Sequence, residues 1–260
     1  MYKEIALTSF KGEIIYRVEF IVSLIGLLVR IAVLWFLWNA IFKAYGSETL
    51  KGFTLPMMIT YASIAAVLNI FAKSETEFYI EGDFKTGFIS VLLTKPFSYP
   101  LYYLFREIGT TGFSLLTRGL PIFLFTLIFL GITMPSSPLF FISVALGFFI
   151  NFFLILLTGL WSFWSSGNIW GIRFARNVIS ETLSGSLIPI YLFPLWLKNI
   201  AAALPFQAIY STPLLIYIGQ ISGSELFSAI GIQVVWIAIL GGLSFIIWKF
   251  AEKKTLSYGG

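Results

Sequence analysis

Apolar residues run along this chain in long, nearly unbroken stretches, separated by short clusters of charge, glycine and proline. A helix needs about 20 mostly apolar residues to cross about 30 Å of hydrocarbon. Six stretches meet that length, roughly 20–42, 54–72, 106–131, 138–164, 172–190 and 226–248, and predict six transmembrane helices. The segment 191–222 is equally apolar, but Pro194, Pro205, Pro213 and Gly219 cut it into pieces too short to cross. The pattern therefore predicts an all-α polytopic membrane protein with one domain over 1–260. At the N-terminus Leu7, Phe10 and Ile14 fall on one side of a helix, which Lys3 shares near its end. That spacing predicts an amphipathic interfacial helix over 1–17, with a solvated extension as the alternative.

Composition turns the pattern into a solvent. The chain is 58% hydrophobic and 11% charged, with a mean hydropathy of +0.91. Soluble domains are roughly half apolar and a quarter charged, so lipid is the expected surrounding. The first 19 residues mix charge with apolar side chains and lack the uninterrupted core of a cleavable signal peptide. Charge then sets the orientation. Lys3, Lys11, Arg17, Lys73, Lys85, Lys95, Arg106, Arg173, Arg176, Lys249, Lys253 and Lys254 fall on one side, against Lys43, Lys51 and Lys198 on the other. Twelve against three predicts cytoplasmic N- and C-termini in a cell membrane, that of a prokaryote. Trp35, Trp38, Tyr45 and Trp196 fit an interfacial aromatic belt at the outer face.

The chemistry available is narrow. There is no cysteine and no histidine, and Asp83 is the single aspartate. Thiolate chemistry, the commonest general base and the commonest metal ligand are thereby excluded, and no metal site is expected. No GxxxxGK[ST], GxSxG or HExxH motif is present, and no basic, aromatic-studded surface suggests nucleic acid. The chain reads as a transport component and not as an enzyme.

Three places carry candidate function. The loop 73–100 holds Glu75, Glu77, Glu81 and Asp83 as an acidic patch, followed by a short helix from Phe84 to Leu93 that Asp83 would cap and Pro96 would stop. Phe84, Phe88, Val91 and Leu92 lie at helical spacing on that helix, which either rests on headgroups or docks a cytoplasmic partner. The segment 184–223, which opens with SGSLIPIYLFPLWLKNIAAALPF, is expected to dip into the outer side as re-entrant helices turning at its prolines, or else to lie flat as a loop. Arg30, Arg118 and Glu181 fall inside the predicted spans. A charge at that depth costs about 3 kcal/mol and faces the bundle interior, where Glu181 pairs with an arginine or an arginine faces a pathway and attracts an anionic headgroup.

Taken together, these segments resemble the ABC-2 type permeases, the membrane subunits of ABC exporters with the type V exporter fold. GDFKTGFISVLLTKPFSYP at 82–100 and LSGSLIPIYLFPLWLKNIAAALPFQAIYSTPLLIYIG at 183–219 are similar to the family's two signature segments. YRVEF at 16–20 and Gly259-Gly260 are similar to the six-span subgroup of this length. The resemblance implies a coupling helix between the second and third spans, docking an ATP-binding subunit through Asp83, Phe84, Gly87, Phe88, Val91, Leu92, Lys95 and Pro96. It implies a re-entrant cap around Gly185, Pro189, Pro194, Trp196 and Pro205. ATP and magnesium would belong to two copies of that partner, with no cofactor in this chain. A second permease, identical or related, would complete a dimer, with the pathway lined mainly by the first, second and fifth spans. Membrane lipids surround it, and an amphiphilic or hydrophobic cargo is expected (lipid, glycolipid, antibiotic or drug) because 18% of the residues are aromatic. The acidic lead-in departs from the family's pattern, so no ion pairs carry over. Rival expectations are an ion-coupled secondary transporter or channel, for which Glu181 is the lone mid-membrane acid, and a membrane-embedded lipid transferase using Glu75 to Asp83.

Overall fold

The computed structural model describes residues 1–13, 17–72, 74–165 and 168–258, of which 17–20, 71–72 and 256–258 as backbone alone. Ile14, Tyr16, Lys73 and Gly259-Gly260, on which expectations were placed above, lie outside the described residues. The described residues are all-α apart from one small hairpin: α1 (Tyr2–Gly12), α2 (Arg17–Tyr45), β1 (Thr49–Leu50) and β2 (Phe53–Thr54), α3 (Leu55–Leu68), α4 (Thr76–Thr86), α5 (Phe88–Leu93), α6 (Tyr99–Ser114), α7 (Leu120–Phe129), α8 (Leu139–Leu160), α9 (Trp170–Leu183), α10 (Leu195–Ala202), α11 (Ser211–Tyr217) and α12 (Ser224–Tyr258). Helix α6 runs on into α7 through one widened turn, Leu115–Gly119.

Among the described residues four helices are long and apolar enough to cross a membrane: Ile21–Tyr45, Tyr99–Phe129, Leu139–Phe163 and Ser224–Thr255. The second and fifth expected spans are shorter. Helix α3 has 14 residues and tightens into a turn at Asn69–Ala72. Helix α9 also has 14, about 21 Å, and stops at Leu183 instead of the expected 190. It stops because Gly185 takes a left-handed φ of 79° and Pro189 follows.

Helix α3 is the axis of the bundle. Thr54 caps it, accepting from the Met57 amide, and Pro56 sits in its first turn. Its small residues Ala62, Ser63, Ala65 and Ala66 are buried, which lets neighbouring helices approach closely in the way lipid-embedded helices pack. Met58, Tyr61 and Ile64 join Leu34 and Trp38 of α2, Ile150 of α8 and Leu214 to Tyr217 of α11 in the main core. Trp38 is thus a core residue and not part of a surface belt. Helix α1 lies lengthwise on α6: Tyr2 stacks on Phe105 and Phe10 meets Phe113 edge-on. A Cβ at Gly109 would stand 2.2 Å from the Ala6 carbonyl oxygen, so glycine is what permits this approach.

The prolines of 184–213 stand at helix beginnings, where a missing N–H leaves nothing unpaired. Pro189 precedes the turn Ile190–Leu192, Pro194 precedes α10, Pro205 opens the turn Pro205–Ala208, and Pro213 lies in the first turn of α11. The chain bends by 74° between α10 and the run Pro205–Tyr217. Broken backbone needs partners where water is absent. The Tyr61 hydroxyl donates to the Gly185 carbonyl at 2.7 Å, the Ser211 amide to Ser184 at 3.0 Å, and Gln233 Nε2 to Ala208 at 2.7 Å and Ser143 at 3.0 Å. The end of the turn Pro205–Ala208 rests on α8 at Gly147, where a Cβ would come within 2.9 Å of the Ile209 carbonyl oxygen.

Candidate functional site

At one end of the bundle α4 and α5 form a bent pair. Gly87, with φ 72° and ψ 4°, ends α4 and starts α5. The expected single helix from Phe84 to Leu93, capped by Asp83, is therefore corrected. Asp83 is inside α4, and its carboxylate accepts from the hydroxyls of Tyr103 at 2.5 Å and Tyr99 at 3.0 Å. Burial holds its pKa above the ordinary 3.8, against the pull of those two hydroxyls and of the Arg106 charge.

The expected apolar face also divides. Phe84 turns inward onto Phe163, with ring centroids 4.9 Å apart, and Ile89 and Leu92 are buried beside Tyr99, Tyr103 and Trp248. Phe88 and Val91 point away from the bundle, each 48% exposed. Lys85, Gly87, Lys95 and Pro96 are exposed beside them. This end of the bundle thus presents two large apolar side chains on a short helix whose other side is anchored in the core.

The acidic patch divides as well. Glu75 is largely exposed and Glu81 pairs with Lys85 at 2.7 Å. Glu77 is fully buried and holds two arginines of α9, Arg173 Nε at 2.5 Å and Arg176 Nη2 at 3.0 Å. Its Oε2 carries no hydrogen bond. Burial pushes the Glu77 pKa above the ordinary 4.5, although both guanidiniums oppose it. The contact is possible because Gly159 of α8 leaves room: a Cβ there would meet Ile80 at 2.8 Å and the Glu77 backbone at 3.2 Å. On the α6 side Glu107 accepts from Ser74 at 2.7 Å, Thr76 at 2.6 Å and Thr111 at 3.4 Å. Residues 74–77 are thus bound to α6 and to α9 at once.

Between α6 and α9 opens a cleft of about 710 Å³. It is lined by Glu75, Tyr79, Arg106 and Arg173, by the buried Asn69, Thr111 and Tyr210, by the partly buried Arg118 and Arg176, and by Glu181, which is exposed. From Arg106 to Arg118 is 12 residues of helix, about 18 Å. Arg118 sits on the widened turn, in which the Leu120 amide bonds to the Leu115 carbonyl five residues back. Pro121, which has no N–H to give, stands just after it and accounts for the break in the regular ladder. Arg118 Nη2 donates to Ser114 at 2.6 Å. Arg30, on α2, is close enough to Tyr210 to act on it electrostatically, as are Glu181 and Arg176. Among the described residues no ion pair within 4.0 Å joins Glu181 to an arginine. The cap residues lie elsewhere: Gly185 against Tyr61 and Ser211, Pro189, Pro194 and Pro205 at the turns described above, and Trp196 exposed on α10.

Sequence reasoning missed the roles of Glu77, Glu107, Arg173, Arg176, Asn69 and Tyr210. One signal was present: Arg173 and Arg176 are three apart, hence on one helix face, and so are Glu107 and Thr111 at four. Their partners come from residues 31 to 99 positions away, which no local pattern reports.

No curated protein matches the chain. A family model described as ABC-2 family transporter protein matches residues 28–259, which takes in α3 to α12, the bent pair, the cleft and the broken segment. With nearly the whole chain matched, the protein is a membrane component of the ABC-2 transporter family.

Proposed function

We propose that this chain is the permease of an ATP-driven exporter, that the α4–α5 pair is its coupling element, and that the α6–α9 cleft is the entrance for an amphiphilic cargo. A separate ATP-binding subunit would take Phe88 and Val91 into a cleft of its own, and two such subunits would serve a permease dimer. The excess of Lys and Arg on this side supports a cytoplasmic position for the pair. The observation that carries the reading is the anchorage of the exposed pair. Its inner side is in the core with Phe163 and Trp248, and the segment leading into it is bound to both walls of the cleft through Glu77 and Glu107.

The physics is that of linked equilibria. A ligand shifts a conformational balance only through its different affinity for the two states. ATP has that difference in the partner, cargo has it in the cleft, and residues 74–93 join the two. Apolar Phe174 and Val178 line the cleft among its polar groups and are exposed on α9, which has no buried residue. That mixture suits a molecule with a polar head and a greasy body. The test is reconstitution of the permease with its ATPase in vesicles, following fluorescent amphiphiles. ATP-dependent movement, lost in Val91→Asp, is expected. Transport driven by an ion gradient with no ATPase present would overturn the reading.

A further inference from the structure

The inner end of the cleft gathers hydrogen-bond donors that have nothing to donate to. Asn69 Nδ2 and the Tyr210 hydroxyl belong to buried side chains and carry no hydrogen bond, and the same is true of the buried Nε of Arg118. Arg30 Nη2 is buried and unbonded too, and although Arg30 does not line the cleft its charge acts on Tyr210, which does. Buried donors are nearly always satisfied, so several around one cavity mark a place for an acceptor. Arg118 and Asn69 are brought together by Gly119, whose Cβ position faces Ile70 at 3.2 Å. Neither Arg30 nor Arg118 has a carboxylate within 4.0 Å among the described residues.

The acids nearby are mostly engaged. Glu107 is held by three hydroxyl groups and Glu77 by two guanidiniums, and Glu13, Glu75 and Glu181 are the other acids that line the cleft. The lining donors come from the turn after α3, the widened turn between α6 and α7 and the residue just before α11, with Arg30 of α2 outside the lining. Donors converging from three separate places in the fold suit a tetrahedral oxyanion, which accepts in several directions, better than a planar carboxylate. A widened helical turn is itself a frequent mark of a functional position, and here it carries Arg118.

We infer that the inner end of the cleft is a subsite for a phosphate-type oxyanion, held by Arg118, Asn69 and Tyr210 with Arg30 behind. The inference rests on the reading of the cleft as the cargo entrance, and its test needs no ATPase, so either can fail without the other. The full chain is purified in neutral detergent and titrated with short-chain phosphatidic acid, with the diacylglycerol of the same chain length, and with inorganic phosphate. Melting midpoint and apparent Kd are read.

Phosphatidic acid should raise the melting midpoint and the diacylglycerol should not. Arg118→Gln should weaken phosphatidic acid about tenfold and Tyr210→Phe several-fold, the latter changing only one oxygen. Displacement of phosphatidic acid by inorganic phosphate supports a soluble phosphate ester as the ligand. Binding without such displacement supports a lipid headgroup. Equal binding of phosphatidic acid and diacylglycerol, no binding of any probe, or unchanged affinity in both variants would overturn the inference, the pocket then holding water alone.

Discussion

Asp83 shows how much one residue depends on its surroundings here. In the sequence it stands before an apolar run and reads as a helix cap. In the structure it is a half-buried carboxylate bonded by Tyr99 and Tyr103, with a proton affinity raised above normal by burial. The sign for stability follows. The folded chain keeps this proton to a higher pH than the unfolded chain, so the folded state binds more protons between the two values. Stability from this group therefore falls as pH rises through that window, from 3.8 upward, and the loss is complete above the folded value. Asp83→Asn should flatten part of the fall in apparent melting midpoint above pH 4. An unchanged pH profile would show that the carboxylate is not shielded. Phe84 and Phe88 make a similar point: four positions apart on paper, they point to the core and to the outside because Gly87 breaks the helix between them.

Among the elements, the joint between α4 and α9 is the one on which the proposed coupling depends. Glu77 brings two arginines into a mostly dry place, and taking away one member of such a group leaves charge uncompensated. Glu77→Gln should cost about 3 kcal/mol, the low end for that event, since Arg173 keeps the Ser74 carbonyl and Glu75. The checks are the melting midpoint in detergent and the loss of cargo-stimulated ATPase activity in the reconstituted complex. Unchanged stability would mean that the joint is open in solution. The elements themselves were mostly legible. Apolar length marked the four long helices, and proline positions marked the broken segment, since both are local properties. The short α9 was less so, because its end depends on Gly185 fitting against Tyr61 and Ser211. The α4–α5 break and the widened turn at Arg118 were hidden for the same reason: a lone glycine or proline in an apolar run has several possible outcomes, and packing selects one.

On the scale of the whole molecule, the proposed coupling runs through one connected path of contacts. An exposed pair of apolar side chains, Phe88 and Val91, is seated on a buried face, and a charged joint leads from there to both walls of a polar cleft. The ends of that path were visible in the sequence as an apolar loop helix and as charges inside spans. The joint was not, since its partners are up to 99 residues apart. Membership of the ABC-2 transporter family fits a path that receives force from outside the chain. The measurement that bears most directly on this account is a mild-detergent pull-down of the tagged chain from its native membrane, with mass spectrometry of the proteins that accompany it, for the wild type and for Phe88→Asp. The account predicts that a protein with a Walker nucleotide site accompanies the wild type and is lost from Phe88→Asp, while the variant itself stays folded and in the membrane. A wild-type chain with no ATPase beside it, or an ATPase retained by Phe88→Asp, would contradict it.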